Sequence, residues 1–178
     1  MKKTFLHIFI LMLLVACSTT SQLPEGEKLY TGIKEIEVED RLGTLAEENA
    51  LLEIEAALAY QPNGSFMGSS SLRSPFQVGL WTYNAYVNKS RKGFNKWLFD
   101  SFSTPPATIS HVSPDMRAKV ATNLLQNYGY FRGKVDYELV NQKNPKQQKI
   151  AYHVKLDEPY LYDSIQYRFP AIEDSILR

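Results

Sequence analysis

The sequence is poor in the residues that most often carry disulfide, metal or acid–base chemistry. Its 178 residues contain one cysteine and three histidines. One cysteine excludes a disulfide within the chain, and His7, His111 and His153 share no metal-ligand spacing. Serine, histidine and aspartate occur without a motif that arranges them as a triad. We therefore predict no catalytic site, no metal and no cofactor, and the protein is not expected to be an enzyme.

The chain also lacks an excess of charge of either sign. It has 20 Lys and Arg residues against 19 Asp and Glu residues, a formal net charge of +1. Proteins that bind nucleic acid usually carry a clear positive excess, because they must neutralise phosphates. No nucleic-acid partner is expected. The length suits one domain with an elaboration, or one domain and part of another.

The first residues have the pattern of an export signal. Lys2 and Lys3 precede an apolar run, Phe5–Ala16, and Cys17 follows directly. The run is shorter than the roughly 20 residues that a membrane-spanning helix needs. "LVAC" is typical of a lipoprotein signal, which predicts a signal peptide over 1–16 and a lipid on Cys17. The alternatives are an ordinary signal peptide with an unrelated cysteine, or a short membrane anchor.

A lipidated Cys17 would hold the protein on a membrane face outside the cytoplasm. One acyl chain anchors a protein only marginally, whereas several chains on one residue hold it firmly. A polar, flexible tether is expected over residues 17–27. No acidic pair follows the cysteine, which favours the periplasmic side of the outer membrane.

The first half of the chain predicts a strand followed by a helix. Apolar and acidic residues alternate over about 34–40, the period of a half-buried strand. Thr44 and Glu47 form a capping box, in which each side chain accepts from a backbone amide near the other residue. A helix is predicted over about 45–60, with Leu51, Ile54 and Leu58 as its apolar stripe.

The second half predicts a helix and two strands. Ser113 is expected to cap a helix whose stripe contains Val120, Leu124 and Tyr128, with Ala121 and Leu125 beside them. Gly129 is expected to end the helix in the left-handed conformation. Apolar residues then alternate over 134–140 and again over 149–156, which predicts an antiparallel pair. The order β-α-(insert)-α-β-β predicts an α+β fold, a two-layer sandwich with a three-stranded mixed sheet over residues 28–159.

The insert, at about 65–108, is rich in aromatic and basic residues. One interpretation is that its rings pack the insert against the domain. The other is that a basic, aromatic surface contacts lipid headgroups or a partner. The residues assigned to that surface are Trp81, Tyr86, Lys89, Arg91, Lys92, Lys96 and Trp97.

Several stretches resemble a known family. "LLQNYGYFRGKVDYELV" (124–140) resembles the Gly-Tyr-Phe corner of POTRA domains, the periplasmic repeats of the BamA/TamA outer-membrane assembly superfamily. "LPEGEKLYTGIKEIEV" (23–38) and the stretch 72–102 are similar to the lipoprotein form of TamA, the TamL family. The resemblance covers essentially the whole chain. It implies that Tyr130 and Phe131 fill the gap between the helix end and the sheet.

The resemblance also implies a function and a binding edge. POTRA domains receive nascent barrel proteins or a periplasmic partner, here a TamB-like protein, and the second strand is the sheet edge that a partner strand joins. The residues assigned to this edge are Lys134, Val135, Asp136, Tyr137, Glu138 and Leu139. The alternative function is a membrane-peripheral structural lipoprotein whose insert contacts the inner leaflet of the outer membrane.

The end of the chain resembles the crossing into another repeat. Family members continue through further POTRA domains into a barrel, so the chain is expected to match an N-terminal part, with residues 160–178 beginning a second repeat. "LYDSIQYRFP" (161–170) alternates like a strand. Its apolar residues Ile165, Tyr167 and Phe169 are expected to be more exposed than this pattern demands.

Overall fold

The computed structural model describes residues 19–89 and 92–167. The predicted signal peptide, Cys17, Arg91 and Phe169 lie outside these ranges. The elements in chain order are β1 (Leu29–Glu39), α1 (Leu45–Leu58), α2 (Val78–Tyr86), α3 (Gly93–Phe102), α4 (Ile109–Val112), α5 (Pro114–Asn127), β2 (Lys134–Asn141) and β3 (Gln147–Lys155). The predicted α+β class and element order are confirmed, and the insert contains two helices of its own.

The three strands form one mixed sheet in the order β1-β3-β2. β1 runs parallel to β3, and β2 runs antiparallel to it. Tyr152 of the central strand lies between Ile36 and Tyr137 in this register. The mixed sheet is therefore as predicted, and both β1 and β2 are edge strands.

The core lies between one face of the sheet and the helices α1 and α5. Sheet residues and helix residues form one apolar cluster, which explains why neither layer is stable alone. The fully buried members include Ile33, Ile54, Leu58, Ala121, Leu125, Ile150, Tyr152 and Val154. On the opposite face Glu35, Glu37 and Lys155 are exposed, so this face meets water, as the alternation predicts.

β1 begins at Leu29, five residues before the predicted start. Residues 29–33 are all buried, because the insert covers the strand here as well as the helices. Because these residues are buried on several sides, their polar and apolar side chains do not alternate. The prediction relied on that alternation to recognise a strand, so it missed this part of β1.

The start of α1 confirms the predicted cap at Thr44 but changes the role of Glu47. The Thr44 hydroxyl accepts from the Glu47 amide at 3.2 Å. The Glu47 carboxylate, fully buried, accepts from the amides of Leu42 at 2.6 Å and Gly43 at 3.1 Å and pairs with the Arg41 guanidinium at 3.2 Å. It therefore holds the turn between β1 and α1, and does not accept from the Thr44 amide as the predicted capping box required.

The buried face of α5 matches the predicted stripe in part. Val120 is 48% exposed, whereas Ala121 and Leu125 are fully buried. Leu124 and Tyr128 are partly buried against the core, so the buried face lies toward the residues beside the predicted stripe. Ser113 stands at the N-cap position but has a φ of +50° and makes no side-chain cap. Its hydroxyl donates instead to the Ser110 carbonyl at 2.7 Å.

The Gly-Tyr-Phe corner is partly as expected. Gly129 ends the helical region with a φ of +90°, and Tyr130 is buried. Phe131, in contrast, is 59% exposed and lies edge-on to Tyr160, with ring centroids 5.5 Å apart. The Tyr160 amide donates to the Gly129 carbonyl at 2.9 Å. The corner therefore holds the segment that leaves the domain.

The predicted strand at the end of the chain is absent from its described part. Residues 161–167 form no strand, and the remaining residues of "LYDSIQYRFP" lie outside the described ranges. Ile165 is 63% exposed and Tyr167 78% exposed, as expected. The alternating pattern persists in the sequence, but a strand forms only where another strand supplies hydrogen bonds.

Candidate functional site

The insert occupies half of one sheet edge. The Tyr30 amide of β1 donates to the Ala107 carbonyl at 2.8 Å, and the Ile33 amide donates to the Ser70 carbonyl at 2.9 Å. The residues that follow the insert continue this contact, since the Ile109 amide donates to the Lys28 carbonyl at 3.0 Å. The beginning of β1 is therefore closed to any incoming strand.

The other edge, β2, is closed only near its start, at its second residue. The Val135 amide donates to the Thr122 hydroxyl of α5 at 3.0 Å. Alternate residues of an antiparallel strand point their amides to the same side, and the pairing of β2 with β3 has no irregularity. The amides of Tyr137 and Leu139 therefore point away from β3 too. No backbone partner for these two amides lies among the described residues.

Side chains along β2 separate into two faces. Tyr137 and Leu139 share the core face with Val135 but are 38% and 37% exposed, because no helix covers them fully. Lys134 and Asp136 form an ion pair at 2.9 Å on the opposite face, where Glu138 is also exposed. The structure thus places all six predicted residues on one edge, with two half-exposed apolar groups beside free amides.

A second open stretch lies at the end of β1. Beyond Ile33 the insert no longer covers the strand, and a groove runs between β1 and α1. Its apolar lining consists of Ile36, Val38, Leu51 and Leu52. This groove was not predicted from the sequence, because the residues that form it come from two elements whose distance only the fold defines.

Two polar side chains that the sequence pattern did not indicate hold separate parts of the domain together. Asn63, 6% exposed, donates to the Pro105 carbonyl at 2.8 Å and accepts from the Ala107 amide at 2.6 Å. It therefore joins the two ends of the insert. Arg117 of α5 donates to the carbonyls of Ala57, Ala59 and Val112 at 2.9 to 3.0 Å.

The two tryptophans assigned to the aromatic, basic surface differ in their exposure. Trp81 is half-buried on α2, and its indole NH has no partner among the described residues. Trp97 is 55% exposed on α3. The Lys89 ammonium lies over the Tyr86 ring, 5.6 Å from its centre. Trp81 therefore belongs to the packing of the insert and Trp97 to its surface, and contact of that surface with lipid or a partner stays a prediction.

Two buried tyrosines have perturbed acidities. Burial raises the pKa of the Tyr152 hydroxyl to about 12, and the nearby Arg117 opposes this only in part. Burial likewise raises the pKa of Tyr30, whose hydroxyl donates to the Tyr60 carbonyl at 3.1 Å. Both groups lie in the core rather than on a cleft, so their shifts reflect packing and not a reactive site.

The two histidines in the described ranges have separate surroundings. His153 lies 3.1 Å from the Glu37 carboxylate on the water-facing side of the sheet, and His111 packs against the Tyr60 ring. Within residues 19–89 and 92–167 no group of three or more His, Cys, Asp or Glu side chains is placed to hold a metal. Nor does any helix in these ranges have the length and apolar character needed to cross a bilayer.

No family model, curated protein or solved structure matches the chain. The coarse class is nevertheless clear from the fold: a small α+β domain with a three-stranded mixed sheet and two partly open edge strands.

Proposed function

We propose that this protein is a periplasmic binding and scaffold module of the POTRA type that captures an extended partner segment on the β2 edge. The observation that carries the proposal is the pair of free amides at Tyr137 and Leu139, beside half-exposed side chains of the same residues. An extended chain placed here would become the fourth strand of the sheet.

The incoming strand would be recognised by backbone hydrogen bonds and by the alternation of its apolar and polar side chains. Each new backbone hydrogen bond contributes about 1 kcal/mol net. Every second side chain of the partner would pack over Tyr137 and Leu139, and the others would face the charged surface that carries Asp136 and Glu138. The preferred partner is thus a strand with one apolar face and one polar face.

Such a strand is the repeating unit of outer-membrane barrels, in which apolar and polar residues alternate. The resemblance to the TamL family adds the expected setting: Cys17 lipidated at the outer membrane, with nascent outer-membrane proteins or a TamB-like periplasmic protein as the partner. In this proposal the module binds and presents its partner, and carries out no catalysis.

A proline at position 137 tests the proposal. Tyr137→Pro removes an amide that points outward, so it leaves the pairing with β3 intact, and edge strands tolerate proline in this orientation. Tyr137→Ala, the matched control, deletes the side chain and keeps the amide. The probe is a fluorescent ten-residue peptide with alternating aliphatic and polar residues.

Tyr137→Pro is expected to weaken peptide binding at least about tenfold, the equivalent of 1.4 kcal/mol. Tyr137→Ala is expected to weaken it less, because backbone pairing persists. Circular dichroism establishes that both variants are folded. Equal affinity of the folded Tyr137→Pro variant and the original protein would show that the peptide does not pair with this edge.

A further inference from the structure

α3 is a helix without a buried face. None of its ten residues is buried, although it packs on α2 through a contact between Phe99 and Tyr83, whose ring centroids are 6.0 Å apart. On its outer side Phe94, Trp97 and Phe102 are 69%, 55% and 51% exposed. These three rings contact one another, with Trp97 5.5 Å from Phe94 and 5.8 Å from Phe102 between ring centroids. They form one aromatic patch, not scattered apolar residues.

The charge beside this aromatic patch is positive. Lys92 and Lys96 lie at the beginning of α3 and are exposed, and Lys89 precedes them. The single acidic residue of the segment, Asp100, forms an ion pair with Lys96 at 2.8 Å. Exposed aromatic rings flanked by lysines are the composition of helices that lie in the headgroup region of a membrane.

The start of the described chain lies against the same insert. Gln22 accepts a hydrogen bond from Asn88 at 2.6 Å, and Thr19 accepts one from Gln147 at 3.3 Å. The expected tether therefore rests on the domain from residue 19 onward. The apolar run Phe5–Ala16 and Cys17 come immediately before it in the sequence.

Chain length then limits how far the aromatic patch can be from the anchoring segment. Five residues separate Cys17 from Gln22 and span at most about 18 Å, and the six from Asn88 to Phe94 span at most about 22 Å. Because Gln22 and Asn88 are in contact, a lipid on Cys17, as the proposed function includes, would hold α3 near the bilayer surface.

We propose that the aromatic patch on α3 is a membrane-contact surface that docks on anionic lipid headgroups and fixes the orientation of the domain on the bilayer. Trp97 and its neighbours enter the headgroup region, and Lys92 and Lys96 bind phosphate groups. The β2 edge is a separate surface, so this inference does not depend on the strand-binding proposal.

Single-tryptophan variants of the full chain test this surface in vesicles of phosphatidylethanolamine and phosphatidylglycerol. Trp81→Phe leaves Trp97 as the reporter, and Trp97→Phe leaves Trp81 as the matched control. Lipids with brominated acyl chains are expected to lower Trp97 emission about twofold or more, while Trp81 emission stays nearly constant, since interfacial helices bury their apolar face about 5–10 Å deep. Subtracting the quenching of the Trp97→Phe variant from that of the unsubstituted chain gives the quenching of Trp97 without the Trp81→Phe substitution.

A second experiment tests the contribution of the lysine charges. Replacing Lys92 and Lys96 by glutamine is expected to reduce the quenching of Trp97 in anionic vesicles, with little effect in phosphatidylcholine vesicles. If Trp97 stays accessible to aqueous iodide and unquenched in the anchored protein, the aromatic patch does not meet lipid and the proposal is wrong. Photo-crosslinking from position 97 to a protein under the same conditions would likewise overturn it.

Discussion

Replacing Tyr152 by phenylalanine should stabilise the protein. Tyr152 is fully buried in the central strand, and no group in the described part of the chain lies within hydrogen-bonding distance of its hydroxyl. A buried polar group without a partner costs roughly 1–3 kcal/mol, because it loses its hydrogen bonds to water on folding. Phenylalanine has nearly the same shape and no hydroxyl. We expect Tyr152→Phe to raise the free energy of unfolding at pH 7 by about 1 kcal/mol.

The same substitution should change the response to alkaline pH. The folded-state pKa of Tyr152 is about 12, against 10.0 for an ordinary tyrosine. Between these values the folded state binds more protons than the unfolded state, so stability falls as pH rises. The loss from this group is about 1 kcal/mol at pH 11 and approaches about 3 kcal/mol well above pH 12. Tyr152→Phe removes this part of the loss of stability, whereas the part that arises from Tyr30 remains.

Urea unfolding at pH 7, pH 9 and pH 11 measures both effects. Tyr162→Phe is the matched control, because Tyr162 is 91% exposed and its substitution should change stability by less than about 0.5 kcal/mol. The reasoning is refuted if Tyr152→Phe destabilises the protein at pH 7, or if its stability relative to the original does not increase between pH 9 and pH 11.

Two further substitutions test how the domain is held together. Arg117→Met should lower the free energy of unfolding by about 3 kcal/mol in thermal or urea unfolding, because three backbone carbonyls lose a charged donor, whereas Lys119→Met on the exposed side of α5 should have almost no effect. Gly129→Ala should cost about 2 kcal/mol or more, because the residue has a φ of +90° and a Cβ would lie 2.8 Å from the Tyr160 carbonyl oxygen. If Gly129→Ala changes neither the stability of the protein nor the position of Tyr160, the Gly-Tyr-Phe corner does not hold the segment that leaves the domain.

The helices and strands were predicted well where the pattern that defines them involves residues close together in the sequence. The Thr44 cap, the stripe of α1 and the alternation in β2 and β3 depend on residues a few positions apart, and each is present in the structure. The stripe of α5 was correct for Leu124 and Tyr128, which pack against the core, and wrong for Val120, which is 48% exposed.

Features that depend on distant parts of the chain could not be predicted in this way. Asn63 and Ala107 meet only because the insert folds back on itself, and Arg117 reaches carbonyls of α1 that lie far from it in sequence. The two predicted surface tryptophans illustrate the same limit. From composition, Trp81 and Trp97 were both assigned to the surface. Only the packing of α2 under α3 distinguishes the half-buried Trp81 from the exposed Trp97.

The central claim, that β2 is the binding edge, is tested most directly by hydrogen exchange of its outward amides. In the free protein the Tyr137 and Leu139 amides should exchange rapidly, while the Asp136 and Glu138 amides, which pair with β3, are protected. Adding the alternating ten-residue peptide should slow exchange at Tyr137 and Leu139. The account is contradicted if the peptide binds and protects the Glu35–Glu39 stretch of β1 instead, with the amides of Tyr137 and Leu139 unchanged.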